Sequence, residues 1–176
     1  MKHFVCLLFL LLSFPSYASW EHTVSRIASQ MYLTGKYQMS AEQECLAKNV
    51  WYESRGESRL GKTMVANVVR NRTEFGRPFA TSICSVVYQP SQFSWTLNAS
   101  KKRASFASIM RKNSKTDRKN LQETLEIVFM QTTFNQKVVT KATHFTSEKP
   151  RFKRVKSLGK VGNHHFSLYL GNGERQ

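Results

Sequence analysis

Apolar residues recur at helical spacing up to about residue 136 and give way to short β-prone runs beyond it. Val24, Ile27 and Met31 predict a short N-terminal helix that either packs on the rest of the chain or forms a mobile leader. Leu46, Val50 and Trp51 mark one face of a helix over residues 41–53, with Ser40 and Gln43 as a capping box and Gly56 as its stop. Leu60, Met64, Val65 and Val68 mark another, ending near Arg72 before the loop at Phe75–Pro78. Phe106, Ile109 and Met110 predict a basic helix, and Asn120 with Glu123 reads as the cap of one that buries Leu121, Leu125, Val128 and Phe129. The later runs, Val138–Thr140, Thr143–Phe145 and Val161–Leu170, are broken by Pro150, Gly159 and Gly162 and read as strands. The predicted fold class is α+β, with a helical N-terminal part and a small C-terminal sheet.

The ends of the chain refine this picture. Met1-Lys2-His3, an apolar run from Phe4 to Phe14 and the small residues around Ser16-Tyr17-Ala18 read as an export signal over residues 1–18, cleaved after Ala18. The run is too short for a membrane span of about 20 residues, so no stable membrane insertion is expected once the signal is removed. With 176 residues and 40% hydrophobic content, one catalytic domain over residues 41–170 is expected, after a leader helix in 19–40 and before a tail in 171–176. The expected location is outside the cytoplasm, periplasmic or extracellular. Cys6 would leave with the signal, and in an oxidising compartment the remaining pair, Cys45 and Cys84, is expected to form a disulfide.

Charge adds a partner class. The formal net charge is +16, and much of it lies between Lys101 and Lys160, in Lys101, Lys102, Arg103, Arg111, Lys112, Lys115, Arg118, Lys119, Arg151, Lys153, Arg154 and Lys156. Such a surface suits an anionic partner. For an exported protein that means anionic envelope polymers, and no nucleic acid is expected. Asp117 is the single aspartate, set among Lys115, Arg118 and Lys119, so a Ser-His-Asp triad is poorly supplied and no Gly-x-Ser-x-Gly elbow is present.

The candidate chemistry lies in Asn49-Val50-Trp51-Tyr52-Glu53-Ser54-Arg55-Gly56-Glu57-Ser58. A carboxylate in the last turn of a helix faces the partial negative charge of the helix end, and beside Trp51 and Tyr52 it is also poorly hydrated; both disfavour its charged form. Glu53 is therefore a candidate proton donor. Glycosidic cleavage needs such a donor, because a sugar alkoxide leaves badly unless protonated.

Six ordered segments, Cys45–Ser58, Val65–Arg72, Ile83–Pro90, Gln92–Trp95, Ala142–Phe145 and Val161–Phe166, together resemble the successive motifs of the spore-cortex-lytic (SleB-like) cell wall hydrolases. The resemblance covers residues 41–168 and implies cleavage of peptidoglycan glycan strands in a lysozyme-like or lytic-transglycosylase-like active-site region, by a bacterial or phage lytic enzyme. It implies Glu53 as the catalytic acid, and, with no metal-ligand motif in the chain, no metal or cofactor is expected. Glu57 and Arg55 would support it, Glu57 by orienting Arg55 or Arg72 or by bonding loop backbone. Tyr52, Gln92, Phe93 and Trp95 match motif positions and suit sugar binding, since aromatic faces pack on pyranose rings and Gln bonds hydroxyls. His144 and His164 match the histidines of the last two blocks and would line the cleft. The chain departs from the pattern at Thr146 and Ser147, where related chains often carry another His.

A lytic transglycosylase works with one carboxyl and is favoured over a two-carboxyl hydrolase, because acids are scarce here. Two other classes compete. A zinc amidase or peptidase would draw on His144, His164 or His165, yet no His-Glu-x-x-His is present. A non-enzymatic basic binder of nucleic acid or envelope polymer would explain the charge but neither the Glu53 block nor the export signal.

Overall fold

The computed structural model describes residues 17–134, 136, 138–150 and 153–171. The export signal and the tail fall largely outside them, as does Arg151.

Helix α1 spans Tyr17–Leu33, α2 Ala41–Ser54, α3 Arg59–Phe75, α4 Ile83–Val87, α5 Ala99–Arg103, α6 Phe106–Asn113 and α7 Arg118–Thr133, with a 3₁₀ turn at Ser94–Leu97 before α5. Helix α2 begins as expected: the Gln43 N–H donates to Ser40 Oγ and the Ser40 N–H to Gln43 Oε1, which satisfies two otherwise orphaned donors. Its face of Leu46, Ala47, Val50 and Trp51 is buried. The chain then leaves through Arg55–Glu57 and re-enters a helix at once, with Ser58 capping α3 through the Gly61 N–H. Helix α3 runs three residues past Arg72 and stops at Gly76, whose φ of 74° suits glycine.

Two of the helical expectations need correction. Val24, Ile27 and Met31 do not pack on the domain; Ile27 is 52% exposed and all three lie on the outer face of α1. Its inner face buries Ser25 and Ser29, with Ala28, Tyr32 and Leu33 packed on the helical core. The two serines let the α1 and α7 backbones approach closely, and the Ser29 hydroxyl is satisfied by Ser25 O at 2.7 Å. Likewise Asn120 and Glu123 do not cap α7, which starts at Arg118. Both side chains accept instead from Lys62 Nζ, at 2.6 Å each. Lys62 is fully buried, and an ammonium taken out of water demands such partners.

The sheet has order β1-β3-β2, all antiparallel: β1 His144–Thr146, β2 Val155–Val161 and β3 His164–Tyr169. Val138–Thr140, expected as a strand, is not one. Side chains of α3 take up its backbone groups: the Val139 N–H donates to Asn67 Oδ1, and Asn71 Nδ2 donates to Thr140 O and Ala142 O. Strand β2 was not anticipated before Val161, because its side chains are mostly exposed and show no alternation. It pairs with β3 through a bulge between Ser157 and Gly159 and a two-residue turn, Gly162-Asn163.

Helix α3 is shared between two cores. Ala66 and Val69 join the helical core of α2, α4, α6 and α7, centred on Trp51, Phe106, Leu121, Leu125 and Phe129. Met64, Val65 and Val68 meet Ala142 and Phe166 under the sheet. The Cys45–Cys84 disulfide joins α2 to α4. Among the described residues no helix is long and apolar enough to cross a membrane.

Candidate active site

Glu53 occupies the last turn of α2 and is half-buried. It accepts no hydrogen bond from any described residue. Burial pushes its carboxyl above the usual range, and the positive charges of Lys101 and Arg72 pull against that shift without cancelling it. A proton is therefore retained at higher pH than on a solvated glutamate.

Arg72 is the residue that connects the two halves of the molecule here. It projects from the end of α3, is 3% exposed, and donates through Nε to Thr143 O at 2.6 Å. Its guanidinium lies between the rings of Phe79 and Phe93, 5.1 Å from each centroid, a geometry in which the ring quadrupoles favour the cation. Nη1 is buried without a hydrogen-bond partner. Burial lowers the Arg72 pKa to about 10, and the Glu53 charge opposes this. A buried, partly unsatisfied cation beside an unbonded carboxylate is an electrostatically polarised site. From the sequence Arg72 is expected only as something Glu57 could orient; Phe79 and Phe93 lie beyond the end of α3, in the segment after Gly76, so no helical periodicity signals the stack.

Glu57 has a different environment. Its carboxylate accepts from the Asn163 N–H at 3.2 Å and from Asn163 Nδ2 at 2.9 Å, across 106 residues of chain. It orients neither Arg55 nor Arg72 by hydrogen bond. The approach is so close that a Cβ on Gly162 would lie 1.7 Å from Glu57 Oε2, and Gly162 also has φ of 57°. Only glycine fits there. Glu57 thus fastens the β2–β3 turn to the α2–α3 turn.

The remaining candidates divide between cleft and core. Tyr52 is half-buried, its ring 4.9 Å from that of Trp95 and 5.4 Å from Lys101 Nζ. Arg55 is exposed and lies over the Trp51 ring at 5.6 Å. Gln92 is half-buried, with no side-chain hydrogen bond to a described residue. Phe93 and Trp95, expected to touch substrate, are instead core residues at 3% and 4% exposure. One face of Phe93 is occupied by Arg72, and Trp95 Nε1 donates to Asn49 Oδ1 at 3.0 Å. They support Arg72 and Tyr52 from beneath.

The two histidines lie on neighbouring strands, His144 on the edge strand β1 and His164 on the central strand β3. His144 is near Arg72, between Phe79 and Tyr169, with Thr143 Oγ1 3.1 Å from its Nδ1. Burial, reinforced by the Arg72 charge, lowers its pKa to about 4, so it is neutral at pH 7. His164 packs on Phe145 and is lowered by burial, with the Glu57 charge opposing; its Nδ1 is buried and unpartnered. Among the described residues no group of three or more His, Cys, Asp or Glu is arranged to hold a metal ion.

A cleft of about 400 Å³ opens beside this centre, between the end of α2 and the α5–α6 segment, and includes Tyr52, Arg55 and Lys101. Glu53 does not line it but is linked to it through Tyr52, the preceding residue, and through Lys101, whose charge acts on both.

The chain belongs to the cell wall hydrolase family, whose pattern matches residues 56–167. The match spans Glu57, Arg72 and both histidines and begins three residues beyond Glu53. No curated protein and no solved structure matches the chain at a significant level. Family membership supports a peptidoglycan-cleaving function in general terms.

Proposed function

We propose that this protein cuts the glycan strands of peptidoglycan, with Glu53 as general acid and then general base. The observation that carries the reading is the state of Glu53: half-buried, free of hydrogen bonds to the described residues and shifted toward its protonated form. In the first step the Glu53 carboxyl gives its proton to the glycosidic oxygen as the C1–O bond of muramic acid breaks. Arg72, and Lys101 at the cleft edge, then hold the carboxylate that remains.

Lytic transglycosylation is favoured over hydrolysis. In that variant the Glu53 carboxylate removes the proton of the muramic C6 hydroxyl, whose oxygen bonds to C1 and closes a 1,6-anhydro ring; no water is consumed. The support is that the other carboxylates on α2 and the α2–α3 turn are engaged. Glu42 accepts from the Cys84 N–H, Glu44 from the Phe106 N–H and Glu57 from Asn163. A two-carboxyl hydrolase needs a second acid free to activate water or attack the sugar. Tyr52 and Gln92 would bind sugar, and His144, neutral beside Arg72, would help to position substrate from the Arg72 side. The disulfide fits an oxidising compartment such as the periplasm or the cell exterior.

The test is digestion of purified sacculi in water enriched in heavy oxygen, followed by mass spectrometry of the fragments. Anhydro ends without heavy oxygen are expected. Reducing ends carrying it would establish hydrolysis, and cut peptides with intact glycan would overturn the reading.

A further inference from the structure

We propose that the cleft between α2 and the α5–α6 segment binds the carboxylates of the peptide stem that hangs from the muramic acid being cut. The inference rests on the glycan-cleaving reading above and adds a recognition site to it. The floor of the cleft is apolar, with Trp51 and Ile109 buried at its base. Its walls carry three cations, Arg55, Lys101 and Lys112, while no acidic residue lines it. None of the three lies within ion-pair distance of a described carboxylate, in contrast to Arg59, Lys62 and Arg70, which pair with Glu126, Glu123 and Glu74. Arg55 and Lys101 are instead held over the Trp51 and Tyr52 rings, which fixes their positions and leaves their donors free.

Position selects the ligand. Tyr52 and Lys101 belong to the cleft and also to the surroundings of Glu53, so an anion held there lies next to the bond being broken. In peptidoglycan the negative groups tethered that close to a muramic C1 are the carboxylates of its own peptide stem. An apolar floor suits the alkyl side chains of such a peptide, and a guanidinium with two ammonium groups suits its carboxylates.

The experiment is a calorimetric titration of the disulfide-intact chain with four probes. They are a disaccharide-peptide with free stem carboxylates, the same compound with those carboxylates amidated, the bare disaccharide, and poly(glycerol phosphate). The free-carboxylate form should bind about tenfold more tightly than the amidated one, the size expected for one or two charge-assisted contacts at a partly exposed site. Lys112→Gln should bring that ratio close to one. Arg111→Gln removes the same charge one residue away, outside the cleft, and should leave the ratio unchanged; equal loss in both variants would mean diffuse attraction and overturn the proposal. Equal binding of the free and amidated forms, or tightest binding of poly(glycerol phosphate), would also overturn it. Mass spectrometry of digested peptide-free glycan tests the catalytic reading separately, since strand cleavage there can persist while carboxylate discrimination is absent.

Discussion

Glu53 and Glu57 stand four residues apart in sequence and belong to two regions built on opposite principles. The end of α2 leaves Glu53 without a hydrogen bond from any described residue, partly dehydrated and near two cations, Lys101 and Arg72. The α2–α3 turn gives Glu57 two donors from the β2–β3 hairpin and a glycine shaped to admit it. One carboxyl is kept available at a cost in stability; the other is spent on holding the sheet in place. Residue type alone does not distinguish an acid that reacts from one that fastens. What surrounds each oxygen does.

The largest effect expected from breaking this contrast is on activity. Glu53→Gln removes the transferable proton while keeping size and polarity, and should lower glycan cleavage by at least about 100-fold. It should not lower stability at pH 7. A carboxyl whose folded pKa lies above its unfolded one stabilises the fold fully below the unfolded pKa, and that contribution is lost as pH rises through the folded pKa. The neutral amide escapes the loss, so the melting temperature of Glu53→Gln should match or exceed the wild-type value at pH 7. A destabilised Glu53→Gln would mean that Glu53 is a structural residue like Glu57.

Reduction of Cys45–Cys84 ranks next. The sulfurs close a loop of sequence separation 39, worth about 4 kcal/mol in the chain-entropy view. Denaturant unfolding with and without reductant should show a loss of that order. Glu57→Gln should behave as the mirror image of Glu53→Gln, losing about 1–3 kcal/mol as its charge-assisted bonds weaken while kcat is largely retained in the folded protein. If kcat fell as far as in Glu53→Gln without unfolding, the two-carboxyl hydrolase would gain.

The smallest effect concerns His144. Its folded pKa of about 4 lies below the usual 6.5, so its contribution is complete above pH 6.5 and is lost as pH falls toward 4. A His144→Gln variant should therefore show a flatter stability profile across that window in thermal melts. Identical slopes for wild type and variant would place the acid sensitivity elsewhere.

How far these regions could be read from the sequence follows from the range of the forces involved. Helix α2, its capping box and the placement of Glu53 in its last turn were legible, because caps and apolar periodicity act within a few residues. The α+β order was legible for the same reason. The inner face of α1 was not, since Ser25 and Ser29 are buried for their smallness rather than their hydrophobicity. Strand β2 was missed because its mostly exposed side chains carry no alternation. The division between Tyr52 at the cleft and Phe93 and Trp95 in the core depends on what lies above each ring, as does the Arg72 stack, and both are tertiary facts. The Glu57 clamp joins positions 106 residues apart, and nothing local announces it.

The double use of α3 sets a limit on dissecting this chain. A fragment ending after α7 would retain every helix yet strip the cover from Met64, Val65 and Val68, leaving an apolar stripe bare along a helix. It would also remove the carbonyls that Asn71 and Arg72 serve. Such a fragment would be an aggregating species rather than a smaller enzyme. For anyone grafting new specificities, the exchangeable part of the α5–α6 segment is its exposed cations, because Phe106 and Ile109 of α6 are buried in the first core. The sheet, although it is small, has to travel with α3.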